Sequence, residues 1–163
     1  MNKGRHIQCY DYVNHPYEKV RDALRANAVP IFSRATMGAS ARAEHIAAQL
    51  HVNVGAIDVA TDIEIVVHQV EDTPRVGKTS PGMRVLFEWK AKKSSRFFPL
   101  MHAELRVFPL TGSETQLEFS GHYDPPLGIF GGAVDAIVGN RIADASIHRF
   151  VSEVAEYLRT ELI

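Results

Sequence analysis

The chain of 163 residues lacks the features that mark several common classes of protein. It has a single cysteine, Cys9, so no disulfide can form within the chain. Its 18 Lys and Arg nearly balance 19 Asp and Glu, and a net charge of −1 gives no general attraction for nucleic acid or an anionic membrane. The amino terminus, Met-Asn-Lys-Gly-Arg-His, has no apolar stretch of the signal-peptide type. We therefore expect a cytoplasmic protein that does not bind nucleic acid.

Sequence motifs for the commoner enzyme chemistries are also missing. There is no Gly-x-Ser-x-Gly, Cys-x-x-Cys, Walker loop or dinucleotide fingerprint, and we predict no cofactor. Asp135, Arg141, Asp144 and Arg149 interrupt the apolar carboxyl-terminal segment, which excludes stable membrane insertion. No repeat or linker divides the chain, so residues 1–163 are predicted to form one domain.

Three segments after residue 83 alternate apolar and polar residues with the period of half-buried strands. Their apolar positions are Val85, Phe87, Trp89 and Ala91, then Met101, Ala103, Leu105 and Val107, then Leu117, Phe119, Gly121 and Tyr123. A three-residue loop at Thr111–Ser113 would form three cross-strand pairs: Val107 with Leu117, Arg106 with Glu118, and His102 with His122. The two histidines would then lie on the outer face without a third ligand, so we predict no metal site. Strands with one apolar face indicate an antiparallel sheet with one solvated side.

The first half of the chain predicts a strand, two short helices and two more strands. These are a strand at His6–Val13, a helix starting at Pro16, a short helix at Ile31–Ala35, and strands at Glu44–Val54 and Ile57–Val67. A long loop is predicted from Glu71 to Gly82, where proline and glycine recur among polar residues.

A helix of some thirty residues, from about Gly132 to Glu161, is predicted to end the chain; such a helix is roughly 45 Å long. One side, predicted to pack on the sheet, carries Ala136, Ala143, Ile147, Phe150, Val154 and Leu158. The first half has a second apolar stripe, made of Val134, Ile137, Val138 and Ala145, and Arg141 and His148 share its direction. A helix that is apolar on two sides indicates a hollow beside it.

Several motifs resemble those of the START-like, or SRPBCC, helix-grip superfamily, which includes polyketide cyclase-like and lipid-transport proteins. They are Asn14-His15-Pro16-x-Glu18-x-Val20, Leu117-x-Phe119-x-Gly121-x-Tyr123, Pro125-Pro126-Leu127-Gly128, and the helical pattern Asp135…Arg141-Ile142-Ala143…Phe150. The resemblance implies an α+β fold: a twisted antiparallel sheet of six to seven strands wrapped around a long C-terminal helix, with two short helices after strand one. Its members range from ligand carriers to cyclases and stress-response modulators.

The leading hypothesis for function is that the chain binds or transports a small hydrophobic or amphipathic ligand in a cavity between the sheet and the C-terminal helix. The predicted ligand-binding residues are Phe87, Trp89, Met101, Phe119, Tyr123, Val134, Val138, Arg141 and His148. The loop from Asp124 to Gly132 would form the mouth. The inward aromatic residues could equally be plain core.

Two alternatives remain open. One is a cyclase- or dehydratase-type enzyme acting on a polyketide-like or lipid-like substrate in the same cavity, with Arg141, His148 or Tyr123 as its polar groups. The other is a protein-interaction domain whose core is filled by its own side chains. Apolar residues at a hairpin tip, Phe97, Phe98 and Leu100, leave a homodimer open as well.

Overall fold

The structure, a computed structural model, describes the backbone of residues 5–49, 63–74, 81–91, 100–124 and 133–162, and the side chains of 6–39, 64–74, 81–89, 101–122, 141 and 144–162. In chain order the elements are β1 (Arg5–Val13), α1 (Tyr17–Gln49), β2 (Ile63–Thr73), β3 (Gly82–Ala91), β4 (Leu100–Pro109), β5 (Thr115–Asp124) and α2 (Ala133–Glu161). The α+β class and the long C-terminal helix are as predicted.

The strands form one antiparallel sheet in the order β1-β5-β4-β3-β2. All three predicted cross-strand pairs between β4 and β5 are confirmed: Val107 with Leu117, Arg106 with Glu118, and His102 with His122. The backbone N–H groups of Leu110 and Thr111 donate to the carbonyl of Glu114, over 2.8 and 3.1 Å, and close the hairpin loop. The described residues contribute five strands, against the six to seven that were predicted.

The strand predicted at Glu44–Val54 is wrong over its described part, because α1 continues to Gln49. Six alanines between residues 35 and 48 explain the difference, since alanine is the strongest helix former and the two-residue alternation there rests largely on alanine. The rest of that predicted strand, residues 50–54, lies outside the described residues, as does the first part of the strand predicted at Ile57–Val67. At its other end the strand β2 extends to Thr73, so the first three residues of the predicted loop, Glu71 to Thr73, belong to a strand.

A kink divides α1 into two segments, as the prediction of two helices requires. Asn27 has non-helical backbone angles, with φ −139° and ψ 29°, and Pro30 follows three residues later. Proline has no N–H to donate and its ring clashes with the carbonyl four residues before it, so the helical hydrogen bonds are interrupted here. The second segment is much longer than the predicted Ile31–Ala35.

The core lies on the inner face of the sheet, under both helices. From α2 it takes Ile147, Phe150, Val151, Val154, Ala155 and Leu158, and from the second segment of α1 it takes Ile31, Phe32, Ala35 and Ala39. The predicted sheet-facing side of α2 is thus confirmed at Ile147, Phe150, Val154 and Leu158. The side chains of Ala136 and Ala143 lie outside the described residues.

The two helices run antiparallel where they meet. The guanidinium of Arg34 lies over the ring of Tyr157, 5.5 Å from its centroid, and one turn further along α1 Gly38 faces Glu153. A Cβ atom at position 38 would come within 2.9 Å of the Glu153 Cγ, so glycine permits this close approach.

The last turn of α2 is tied to the end of β1. Arg159 Nη2 donates to Asp11 Oδ1 and to the carbonyl of Tyr12, both at 2.6 Å, and its guanidinium lies over the Tyr12 ring at 5.7 Å. The ring Nε2 of His15 is 3.1 Å from the Arg159 carbonyl oxygen, and Thr115 Oγ1 donates to the carbonyl of His15. These contacts fix the carboxyl end of α2 against β1.

On the basis of this packing, Val154→Asp should lower the free energy of unfolding by about 3–5 kcal/mol, because it places a carboxylate at a position with no solvent exposure under the sheet. Ser152→Asp is the matched control, since Ser152 is exposed on the same helix and should tolerate the charge. Thermal or urea denaturation measures both. Equal stability of the two variants would contradict the packing of α2 on the sheet.

Candidate functional site

Side chains on the inner face of the sheet lie in rows, because neighbouring strands are in register. One row, which we call the closed row, consists of Val85, Leu105, Phe119 and Cys9. The next, the small-residue row, consists of Phe87, Ala103, Gly121 and Ile7. Beyond it Trp89 is paired with Met101, and Met101 with Tyr123.

The two rows differ in how completely they are covered. Val85, Leu105 and Phe119 in the closed row have no solvent exposure, while Cys9, on the edge strand β1, keeps 5 %. In the small-residue row, Ala103 keeps 8 % of its surface exposed and Ile7, also on β1, keeps 6 %. Away from the edge strand, the inner face is therefore sealed at Leu105 and reachable by solvent at Ala103.

Gly121 gives the small-residue row its shape. A Cβ atom there would lie 2.9 Å from both Met101 Sδ and Phe119 Cε1, so these two side chains lean over the glycine. Its cross-strand neighbour Ala103 adds only a methyl group. Because neither residue has a side chain larger than a methyl group, the inner surface of the sheet is lower at Gly121 and Ala103. The flexible thioether of Met101 takes part of the space above Gly121.

Four predicted ligand-binding residues, Phe87, Trp89, Met101 and Phe119, are buried on the inner face. The three aromatic ones belong to an aromatic cluster with Phe32 and Phe150, in which ring centroids are 4.8 to 6.2 Å apart. Contacts of this kind are typical of a packed core. Their inward direction is as predicted.

The other predicted site residues lie elsewhere. Arg141 and His148 are exposed, and their predicted contact with a ligand stays a prediction. At 3.6 residues per turn both lie roughly 100° from the centre of the buried side of α2, which places them on its flank. The side chains of Tyr123, Val134 and Val138 lie outside the described residues. The predicted mouth, Asp124 to Gly132, also lies outside them except for the backbone of Asp124, which ends β5.

Sequence reasoning missed the contribution of α1 to this region. The ring centroid of Phe32 is 4.8 Å from that of Phe87 and 5.6 Å from that of Phe150, so α1 contributes Phe32 to the aromatic cluster on the inner face of the sheet. The signal was present in the spacing of Ile31, Phe32, Ala35 and Ala39, which fall on one helical face.

Polar chemistry on the inner face is limited in the part of the chain that the structure describes. Within it, no three His, Cys, Asp or Glu side chains are arranged to hold a metal ion. Also within it, neither helix is long and apolar enough to cross a membrane. Burial, with a smaller contribution from Asp11, raises the pKa of the Cys9 thiol to about 12.

Cys9 should therefore be unreactive in the folded protein. Because its pKa lies far above neutral, almost no thiolate is present at pH 8, and the thiol is also covered. A chromogenic disulfide reagent should label native protein far more slowly than protein unfolded in urea, with free glutathione as the reference thiol. Labelling of the native protein at the glutathione rate would contradict the buried position of Cys9.

The described elements define a helix-grip fold, a long C-terminal helix held across an antiparallel sheet, as the resemblance implied. No protein-family model and no curated protein sequence matches the chain. Among solved structures, a START superfamily protein from Mycobacterium smegmatis is similar over 97 % of this chain and 99 % of its own, with 10 % identity and a TM-score of 0.46.

Two further solved structures are similar over nearly the whole chain. An aromatase/cyclase from Streptomyces sp. R1128 is matched over 96 % of this chain and 97 % of its own, at 14 % identity and a TM-score of 0.40. A protein of Thermus thermophilus is matched over 94 % of this chain and 97 % of its own, at 11 % identity and a TM-score of 0.47. At such identities the likeness concerns the fold alone.

Proposed function

We propose that the chain binds a small hydrophobic or amphipathic molecule between the sheet and α2, above the small-residue row. The observation that carries this proposal is the residual exposure of Ala103, on the central strand β4 beside Gly121, where its counterpart in the closed row, Leu105, has none. A packed core has few voids, and a place where the sheet recedes under a rigid helix favours a bound molecule.

The surroundings of this place determine what it would accept. Phe87, Trp89 and Met101 flank it, and all three are apolar and buried. An apolar group would gain contacts there, whereas an unpaired polar group would lose its hydration. The Met101 thioether lies over Gly121 and has the torsional freedom to move aside when a ligand enters.

The remaining sequence predictions fit this proposal at its edges. Val134, Val138 and Tyr123 stay predicted lining residues, and the loop from Asp124 to Gly132 stays the predicted mouth. Arg141 and His148, both exposed on the flank of α2, would meet only the polar end of an amphipathic ligand. Cyclase or dehydratase chemistry, a cytoplasmic location and a homodimer also stay predictions.

The aromatic cluster favours a second candidate, a protein-interaction domain whose core is filled by its own side chains. Phe150 contacts four other aromatic rings, which leaves little room at the centre of the inner face. The two candidates differ in what occupies the space above Ala103, and a substitution there separates them.

Ala103→Leu should fill the hollow if one exists. We expect wild type to bind an environment-sensitive apolar dye at micromolar concentration, and this variant to bind it at least tenfold more weakly with an unchanged or higher free energy of unfolding. If the core is already filled, the larger side chain should instead cost about 1–3 kcal/mol, and wild type should bind no dye. Fluorescence titration and urea denaturation measure the two quantities.

The control is Val85→Leu, which enlarges a side chain of the closed row. Because Val85 has no solvent exposure, this variant should lose stability while its folded form keeps the dye affinity of wild type. Native mass spectrometry of purified wild type then looks for a co-purified apolar molecule. Absence of dye binding together with a destabilised Ala103→Leu variant would overturn the ligand-binding proposal in favour of the filled core.

A further inference from the structure

Four of the eight histidines meet on the outer face of the sheet, on the side opposite the hollow. Strand pairing places His6 beside His122, His122 beside His102, and His102 beside Glu88. His68, at a register shift in β2, brings its Nε2 to 3.3 Å from Glu88 Oε2. We call His6, His122, His102 and His68 the histidine row.

The rings of this row are close to one another and open to solvent. The centroids of His6 and His122 are 4.8 Å apart, and His102 Nδ1 lies 3.6 Å from Glu88 Oε2. The side chains of His68 and His102 are 51 % and 63 % exposed, and His6 and His122 are also exposed. Histidine is the side chain whose ordinary titration lies between pH 5 and 8, so protonation would place a positive charge on each of four strands.

The charges around the row decide what this protonation does. Next to it lies a network that joins all five strands, in which Glu71, Arg84, Glu104, Arg106, Glu118 and Gln8 contact one another in that order. By strand register this face has six carboxylates and three cationic groups, a net charge of −3: Glu64, Glu71, Glu88, Glu104, Glu118 and Asp124 against Arg84, Lys90 and Arg106. Ser120, which bonds to His6, carries no charge. Four imidazolium charges would change the net charge of the face from −3 to +1.

Two tyrosines extend the same face. Tyr10 and Tyr12 alternate with inward residues of β1 and are 74 % and 55 % exposed. Tyrosine has an apolar ring and a polar tip, and it is enriched where proteins meet the headgroup region of a bilayer. A surface that combines switchable positive charge with exposed tyrosine fits a bilayer with acidic headgroups.

We propose that the outer face of the sheet docks on anionic lipid surfaces when the histidine row is protonated, and is released near neutral pH. Neighbouring strands are about 4.8 Å apart, so His6, His122 and His102 present three charges in a line that can meet several headgroups at once, with Glu88 between this line and His68. At neutral pH the negative face is repelled by the same surface. The proposal does not depend on ligand binding at the inner face.

The test is cosedimentation with vesicles of phosphatidylcholine containing about one third phosphatidylserine, at pH about 5 and about 7.5 and in about 0.1 M salt. Wild type should bind these vesicles only at the lower pH and should not bind pure phosphatidylcholine. His122→Gln should weaken binding about fivefold, the factor expected for one basic residue near an anionic surface. Gln at all four positions of the row should abolish binding.

The matched control is Lys19→Gln, which removes an exposed positive charge from α1, on the other side of the sheet, and should leave vesicle binding unchanged. An equal loss in His122→Gln and Lys19→Gln would overturn the proposal, because overall charge would then drive binding. Binding to heparin but not to vesicles would overturn it in favour of a soluble polyanion. In a Tyr10→Trp variant, bound protein should show blue-shifted emission from this face, and an unshifted spectrum would place contact elsewhere.

Discussion

The ring of Phe150 holds the two helices and the sheet together. It lies 5.6 Å from Phe32 of α1, 5.7 and 5.6 Å from Phe87 and Trp89 of β3, and 6.2 Å from Phe119 of β5, measured between ring centroids. Because side chains three or four residues apart share a helical face, fixing this ring also fixes the rotation of α2. That rotation directs Val154 and Leu158 to the core.

The packing changes along α2 from this point. Toward its carboxyl end large aliphatic side chains meet a sealed part of the sheet, and Arg159 ties the last turn to Asp11 and Tyr12. The small-residue row lies further along the strands from Asp11 than the closed row does, and there Gly121 and Ala103 offer little side-chain volume. One end of the helix is therefore anchored by dense packing, and any space for a second molecule lies toward the other. The sequence already shows this gradient, with small residues early in the helix and large ones late.

Local sequence patterns predicted most of the helices and strands, but they do not show which residues far apart in the chain come into contact. The period of two in β3, β4 and β5 fixed which residues face inward, and the hairpin loop fixed their register, so His102 could be paired with His122 from the sequence alone. His6 and His68 could not be added, because they reach the row through the pairing of β1 with β5 and through an irregularity in β2. Neither has a local signature.

The errors have equally physical causes. The alternation at Ile46 and Ala48 resembled that of a strand only because alanine can occupy either the apolar or the polar face. The high helix propensity of alanine favours the helix that the structure shows there. Arg141 and His148 are a separate case: their exposure follows from their position near the boundary between the buried and solvated sides of α2, and their role as ligand-binding residues stays a prediction.

The small-residue row and the histidine row occupy adjacent positions on the same strands. Ile7 follows His6, Gly121 precedes His122, and Ala103 follows His102, so the proposed ligand site and the histidines are back to back across a single sheet. Docking by the outer face would hold a bound ligand one sheet away from the bilayer, with backbone and side chains between them. A molecule passing between hollow and lipid would have to travel around the edge of the sheet. Proton-dependent docking would therefore control where the protein is, and ligand exchange would proceed by a separate route.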